Sequence, residues 1–464
     1  MKTGLMRLLW AIAVLTCVAS SPAKALNVET VPGTVERIIE RVPGSPRTGG
    51  FYSVVSSADG RIIAATVGGP IELVGLPPIP SSPRQVILID RAAGTVELVS
   101  RTPTGGLQNT HPQTTEAEWL SISADGRRVS FVSGATNLDP AATVAGRAYT
   151  YVYDRPTRGV RAIDVDSGLA QNAGMGHLDA SGQRIAYFCT STPTQPAVPG
   201  EFGLCVRNLE TFQTQRVYSG GILTRPRAAP RFSGDGRAIY FGYSGPGLIG
   251  GWPNPGFGYQ AYLFDVSTRT LAQIPAPIAG QLGPTGGFGQ YALPLSANAE
   301  FVFFSNRLQR QSTGETRELV GVGPQLTEAG TRSAFFWTDS GVTSLREVYI
   351  YDWATTQYRF AGAPPGVTPD NRICFTRVTI PGNLVEMEQR IGLSGDGRSL
   401  FFASFASNLV PGDEWGSCDL FARSLDPVPV LSEPQAVHGP NRAWLVLLAL
   451  LMGLAVIVMT RRGG

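Results

Sequence analysis

The chain has 464 residues, 43% of them hydrophobic and 16% charged, with 38 Lys and Arg against 35 Asp and Glu. That hydrophobic content excludes a disordered chain, and a net charge of only +3 excludes the strongly basic surface that phosphate binding needs, so nucleic acid is not an expected partner. Lysine occurs only at Lys2 and Lys24, which removes Walker-type, Schiff-base and Ser-Lys chemistry from the rest of the chain.

Residues 1–25 read as a secretory leader. They hold a short cationic start (Lys2, Arg7), an apolar core, and Ala23-Lys24-Ala25 as the small-x-small pattern for cleavage after Ala25. Removing the leader removes Lys2, Arg7 and Lys24, and with them the net charge. Four cysteines then remain, Cys189, Cys205, Cys374 and Cys418. Cys189 ends the strand pattern RIAYFC and Cys205 lies in the next, GLCVR, so a bridge across one hairpin is expected, and Cys374–Cys418 follows by elimination. Reduced buried thiols are the alternative. A zinc site is disfavoured because no pair has C-x-x-C spacing.

With 55 glycines and 35 prolines, about a fifth of the chain, many strands joined by turns are expected rather than helices. One hairpin grammar recurs: Ser57-Ala58-Asp59-Gly60-Arg61, Ser123-Ala124-Asp125-Gly126-Arg127, Ser233-Gly234-Asp235-Gly236-Arg237 and Ser394-Gly395-Asp396-Gly397-Arg398, each followed by an apolar or aromatic strand. Degenerate copies stand at Asp179-Ala180-Ser181-Gly182 and Ser296-Ala297-Asn298-Ala299. Third-strand candidates begin at Gln85, Tyr149, Leu204, Tyr262, Val348 and Asp419. These units predict an all-β fold, a six-bladed β-propeller of four-stranded antiparallel blades over residues 34–426. The last unit is one strand short, and residues 34–42 form an otherwise unpaired strand pattern, which predicts closure of the last blade by the N-terminal strand. Residues 307–347 read as an insertion and 362–388 as a long connection, both candidates for a binding surface.

Residues 427–442 are a Pro-rich linker, and the apolar run 443–459 predicts one C-terminal transmembrane helix over 443–460. Trp444 would sit at one interface and Arg461 and Arg462 at the other, placing a tail of residues 461–464 in the cytoplasm.

The repeated S-[AG]-D-G-R turn, together with Ala406-Ser407-Asn408-Leu409-Val410-Pro411-Gly412-Asp413 and its partial copy Ala135-Thr136-Asn137-Leu138-Asp139, resembles the TolB-like, WD40-like propeller repeats of exported bacterial proteins. That resemblance implies the fold and leaves function open. The stretch Val428-Pro429-Val430-Leu431-Ser432, with the Trp-led apolar segment and arginine pair after it, is similar to IPTL-type sorting signals. It implies a membrane-embedded sortase as a partner.

Catalytic motifs are sparse. No G-x-S-x-G occurs, and of three histidines only His111 and His177 fall in the propeller, where a lone histidine in a loop reads as a surface or turn residue. The S-x-D-G turns lack the Thr-Trp continuation of sialidase Asp-boxes and read as structural. Asp413, Glu414 and Asp419 could face Ca²⁺, with turn hydrogen bonding as the plainer account. No catalytic, cofactor or metal residue is therefore assigned. The expectation is a non-enzymatic exported propeller on the periplasmic side of the inner membrane, tethered or sortase-processed, that binds a protein or glycan. The alternatives are an envelope-assembly component of TolB type, or a hydrolase or lyase with its site in the propeller channel.

Overall fold

The structure is a computed structural model that describes residues 29–109, 120–167, 175–190, 201–222, 230–243, 248, 260–274, 296, 300–304, 307–319, 322–338, 346–370, 374, 378–380, 383–386, 391–413 and 417–427. Its regular elements are all β-strands, arranged as a seven-bladed propeller. Blade one shows the pattern: Gly50–Ser56, Ile62–Gly68, Gln85–Asp90 and Thr95–Leu98 pair antiparallel in chain order. Blades two, three and four follow over residues 121–162, 177–222 and 231–274, and blade six over 322–360. Blade five contributes three described strands, Phe301–Phe304, Arg307–Arg310 and Thr316–Glu318. Second and third strands carry unbroken apolar runs such as IIAATVG and QVILID, every residue buried, because both faces of a blade pack against neighbouring blades.

The recurring turn is a stitch between blades. In each S-x-D-G-R copy the serine Oγ donates to the aspartate Oδ1 at 2.6 Å, and that oxygen accepts the arginine N–H at 2.9–3.0 Å. The glycine takes φ of 65–71°, a conformation that strains any residue with a Cβ. Space also demands glycine: at Gly126 a Cβ would lie 2.5 Å from Ile62 of the preceding blade. The backbone then reaches sideways: Ala58 N donates to Ala124 O (2.9 Å), Ala124 N to Ala180 O (2.8 Å), Glu328 N to Gly395 O (2.9 Å) and Asp396 N to Ala58 O (3.0 Å). Arginines add further stitches, Arg128 to Gly182 O (2.7 Å), Arg184 to Gly236 O (3.0 Å) and Arg332 to Gly397 O (2.9 Å).

Blade seven is closed by the chain's beginning. Its strands Ile391–Leu393, Ser399–Ser404 and Asp419–Ser424 are completed by Val35–Arg37, with Val35 opposite Arg423 and Arg37 opposite Phe421. The same segment bonds backward to blade six (Val31 N to Phe360 O, 2.9 Å) and forward to blade one (Val42 N to Glu72 O, 2.9 Å). Two arginine–aspartate pairs fasten it, Arg37–Asp413 at 2.8 Å and Arg41–Asp419 at 2.7 Å. Arg423, fully buried, donates to the carbonyls of Val31 and Ala363.

The cysteines pair as Cys189–Cys205 (Cα–Cα 5.9 Å), across the second and third strands of blade three, and Cys374–Cys418 (5.8 Å). The second bridge fixes the connection after blade six to the seam between blades seven and one, where Cys418 packs with Phe51 and Val54.

Two fold expectations are corrected. The six blades become seven, because the supposed insertion at 307–347 supplies two strands to blade five and the first two strands, Val322–Leu326 and Arg332–Thr338, to blade six. The two units fuse in the sequence because the middle described strand of blade five is the polar RLQR without a closing aspartate. The turn of blade six, moreover, is Thr327-Glu328-Ala329-Gly330 rather than S-x-D-G. The transmembrane helix is not supported either: among the described residues no helix is long and apolar enough to cross a membrane. Residues 427–464 beyond Pro427, including Val428, Pro429, Val430, Leu431, Ser432 and the apolar run, lie outside the described residues, as does the leader ending at Ala25. The single-pass inner-membrane placement and the membrane and sortase partners that depended on that helix are left without support.

Candidate functional site

The first strands of the blades face a central channel, and one sequence position governs what they present. Counting two residues back from the first residue of the turn gives, in the six blades whose first strand is described, Val55, Ser121, His177, Arg231, Gln325 and Gly392, all of which line one cavity of about 150 Å³. The flanking Val54, Ser56, Leu120, Ile122 and Leu393 line the same cavity, with Val54 and Leu120 only 2–3% exposed. The turns repeat; the residues this position delivers do not.

His177 is held from both sides by blade two. Ser121 Oγ accepts the Leu178 N–H (2.9 Å) and contacts Ser130 Oγ (2.6 Å), which in turn donates to Gly176 O (3.2 Å). Thr150 Oγ1 accepts the Gly176 N–H at 3.1 Å. The His177 ring places Nδ1 2.8 Å from the Leu178 carbonyl, and since a carbonyl only accepts, Nδ1 carries the proton. Nε2 is then the basic nitrogen. Burial first, and then repulsion from the Arg231 guanidinium, lower the imidazole pKa from 6.5 to about 3, so the ring is neutral.

Arg231 is the uncompensated charge of the channel. Desolvation lowers its pKa from 12.5 to about 10, so it remains a cation. Among the described residues it has no ion pair, its buried Nε has no hydrogen-bond partner, and no carboxylate lines the cavity. The buried Arg332, by contrast, has an acidic partner in Asp352 at 2.6 Å. A second orphan, Ser56 Oγ of blade one, belongs to a residue that also lines the cavity. Ser121, by contrast, has its hydroxyl committed to holding the His177 strand and is not arranged as a nucleophile.

The residues singled out in the sequence fall elsewhere. Asp413 and Asp419 are committed to Arg37 and Arg41, and Glu414 and His111 lie outside the described residues. Asn137 and Asn408, from the paired A-[ST]-N-L motifs, clamp loop backbone: Asn137 Nδ2 donates to Leu107 O (3.1 Å) and Asn408 Nδ2 to Thr368 O (2.7 Å). Among the described residues no three His, Cys, Asp or Glu side chains gather as metal ligands. Sequence reading missed His177 and Arg231 as a pair because attention rested on the turn; the signal lay two residues ahead of it.

No protein-family model matches the chain, and no curated protein matches it. Solved structures do. An oligogalacturonate lyase from Vibrio parahaemolyticus aligns with a TM-score of 0.50 at 10% identity, covering 86% of this chain and 98% of that one. An acylaminoacyl peptidase from Pyrococcus horikoshii aligns at 0.43 and 10%, covering 82% and 52%, and TolB from Acinetobacter baumannii at 0.34 and 13%, covering 82% and 79%. The chain therefore shares a β-propeller fold with the lyase, and likeness at this level concerns the fold alone. The expectation of a tethered, non-enzymatic scaffold is corrected: the fold is shared with a lyase, no helix among the described residues supports the tether, and His177 is a channel residue rather than a surface one.

Proposed function

We propose that the protein is an enzyme whose active site is the propeller channel, with Arg231 anchoring an anionic substrate and His177 Nε2 acting as general base. The observation that carries this reading is a guanidinium whose Nε is buried without a partner and which has no ion pair among the described residues, beside a neutral imidazole whose only ring N–H is spent on the backbone. A base next to a fixed positive charge suits removal of a proton α to a carboxylate, because the guanidinium stabilises the charge that builds on the carboxylate as the proton leaves. Once an anion neutralises Arg231, one of the two causes of the low His177 pKa disappears and the imidazole becomes a stronger base. The Ser121 hydroxyl, engaged in holding the His177 strand, is not free to serve as a nucleophile there, which favours elimination over hydrolysis through that serine.

The test is a screen of carboxylic acids bearing a β leaving group, read by ultraviolet absorbance of the α,β-unsaturated product. His177→Gln is expected to lower turnover by roughly 10²–10⁴-fold. Turnover equal to wild type in both His177→Gln and Arg231→Met would refute the reading. We also propose that the blades are TolB-type repeats, a reading supported by the four S-[AG]-D-G-R turns and their common hydrogen-bond pattern.

A further inference from the structure

His177 owes its tautomer to a single bond, from Nδ1 to the Leu178 carbonyl, and blade two determines that this carbonyl is the one left to receive it. The strand His177–Leu178 pairs with Ala186 and Ile185 on one side. Strand alternation turns the backbone groups of Gly176 and Leu178 to the other side, where buried peptide groups still need partners. Three hydroxyls of blade two supply three of the four: Thr150 Oγ1 accepts the Gly176 N–H (3.1 Å), Ser130 Oγ donates to the Gly176 carbonyl (3.2 Å), and Ser121 Oγ accepts the Leu178 N–H (2.9 Å). The Leu178 carbonyl is the fourth, and the imidazole serves it. Proton order is fixed as well. Ser130 spends its hydrogen on a carbonyl, which only accepts, so in the 2.6 Å contact between the two serines Ser121 is the donor.

Ser130 and Thr150 are fully buried, and neither lines the channel. The fold does not require a hydroxyl at Ser130. It stands opposite Ser121 across the first two strands of its blade, and the residues opposite the channel position in the other five described first strands are Ala64, Ala186, Tyr240, Ala334 and Phe401. Alanine serves in three of them, whereas a buried serine is costly unless its hydroxyl is used.

Resting on the channel reading above for its catalytic meaning, we propose that Ser130 and Thr150 are positioning residues. Their hydroxyls, behind the channel wall, satisfy the strand's other edge groups and so leave the Leu178 carbonyl to hold His177 with Nδ1 protonated and Nε2 basic. Nitrogen-15 NMR of the His177 ring at pH 7, in the full chain, tests this in wild type, Ser130→Ala, Thr150→Val and Thr150→Ser, with thermal melting run alongside. Wild type is expected to show the Nδ1-protonated ring alone. Ser130→Ala and Thr150→Val, each of which strips a partner from Gly176, are expected to add a second set of ring signals from the Nε2-protonated form. Thr150→Ser keeps the hydroxyl and is expected to keep the wild-type ring. Variants that melt lower but retain the wild-type tautomer would make the hydroxyls merely structural and overturn the proposal, as would a Thr150→Ser protein that behaves like Thr150→Val. Should Ser130→Ala fail to fold, the contrast between valine and serine at position 150 decides alone. Turnover of the screened acids separates this from the proposed function: a tautomer that shifts while turnover holds would keep the positioning role and refute His177 as the base, and turnover that falls with the tautomer unmoved would do the reverse.

Discussion

Two rings of residues lie two positions apart in the sequence and obey opposite rules. In the belt of S-x-D-G-R turns, hydrogen-bonding groups are matched within the turn and then to the next blade. In the channel ring just ahead of it, Arg231 Nε is buried without a partner. A repeated, satisfied motif is what a scaffold requires of every blade. A non-repeated position with orphaned polar atoms is costly to stability, and such cost persists where a ligand is to be met.

This contrast breaks or sharpens under substitution. The largest effect is expected from deleting residues 31–42, which removes the closing strand and the partners of Asp413 and Asp419. Stripping one partner from a buried ion pair typically costs about 3–5 kcal/mol, so the shortened protein should melt well below the parent, and parent-like calorimetric melting would refute closure. Next comes Cys374→Ser with Cys418→Ser, which opens a link with a sequence separation of 44 and is expected to cost about 2–4 kcal/mol in denaturant unfolding. Peptide mapping without reduction should also show Cys189 joined to Cys205.

Methionine at an arginine then separates the two rings directly. Arg128→Met leaves the Gly182 carbonyl unpaired and should destabilise by about 1–3 kcal/mol, whereas Arg231→Met removes an uncompensated buried charge and should raise the melting temperature. Equal destabilisation by both would erase the distinction. The pH dependence follows from His177, whose folded pKa is about 3 against an unfolded 6.5. Its contribution is complete above pH 6.5 and is lost as pH falls toward 3, because the unfolded chain takes the proton first. The first pH unit below 6.5 should cost about 1 kcal/mol, a slope that His177→Gln removes. Smallest is Ser394→Ala in one turn of the belt, at about 1 kcal/mol.

Much of the fold was legible because its grammar repeats. The turns, the third strands ending in Asp90, Asp154, Asp265 and Asp352, and the spare N-terminal strand identify an all-β ring and its closure. The blade count failed where the grammar lapsed: Arg307–Arg310 is too short and polar to announce a strand, and Glu328 and Ala329 replace the turn's usual residues. The site was harder to see, since a channel forms only when strands distant in sequence converge. His177 and Arg231 stand in blades three and four, and their shared position, two before each turn, gains meaning once the turns are known to ring an axis.

The central claim is that Arg231 stands uncompensated in the channel beside a His177 ring kept neutral by burial and, after it, by that charge. Nitrogen-15 NMR of the His177 ring across a pH titration, in wild type and Arg231→Met, measures this directly. The account predicts a neutral ring protonated at Nδ1 at pH 5 in wild type, and a pKa displaced upward in the variant. A wild-type ring that titrates near 6.5 and does not respond to the loss of Arg231 would contradict it.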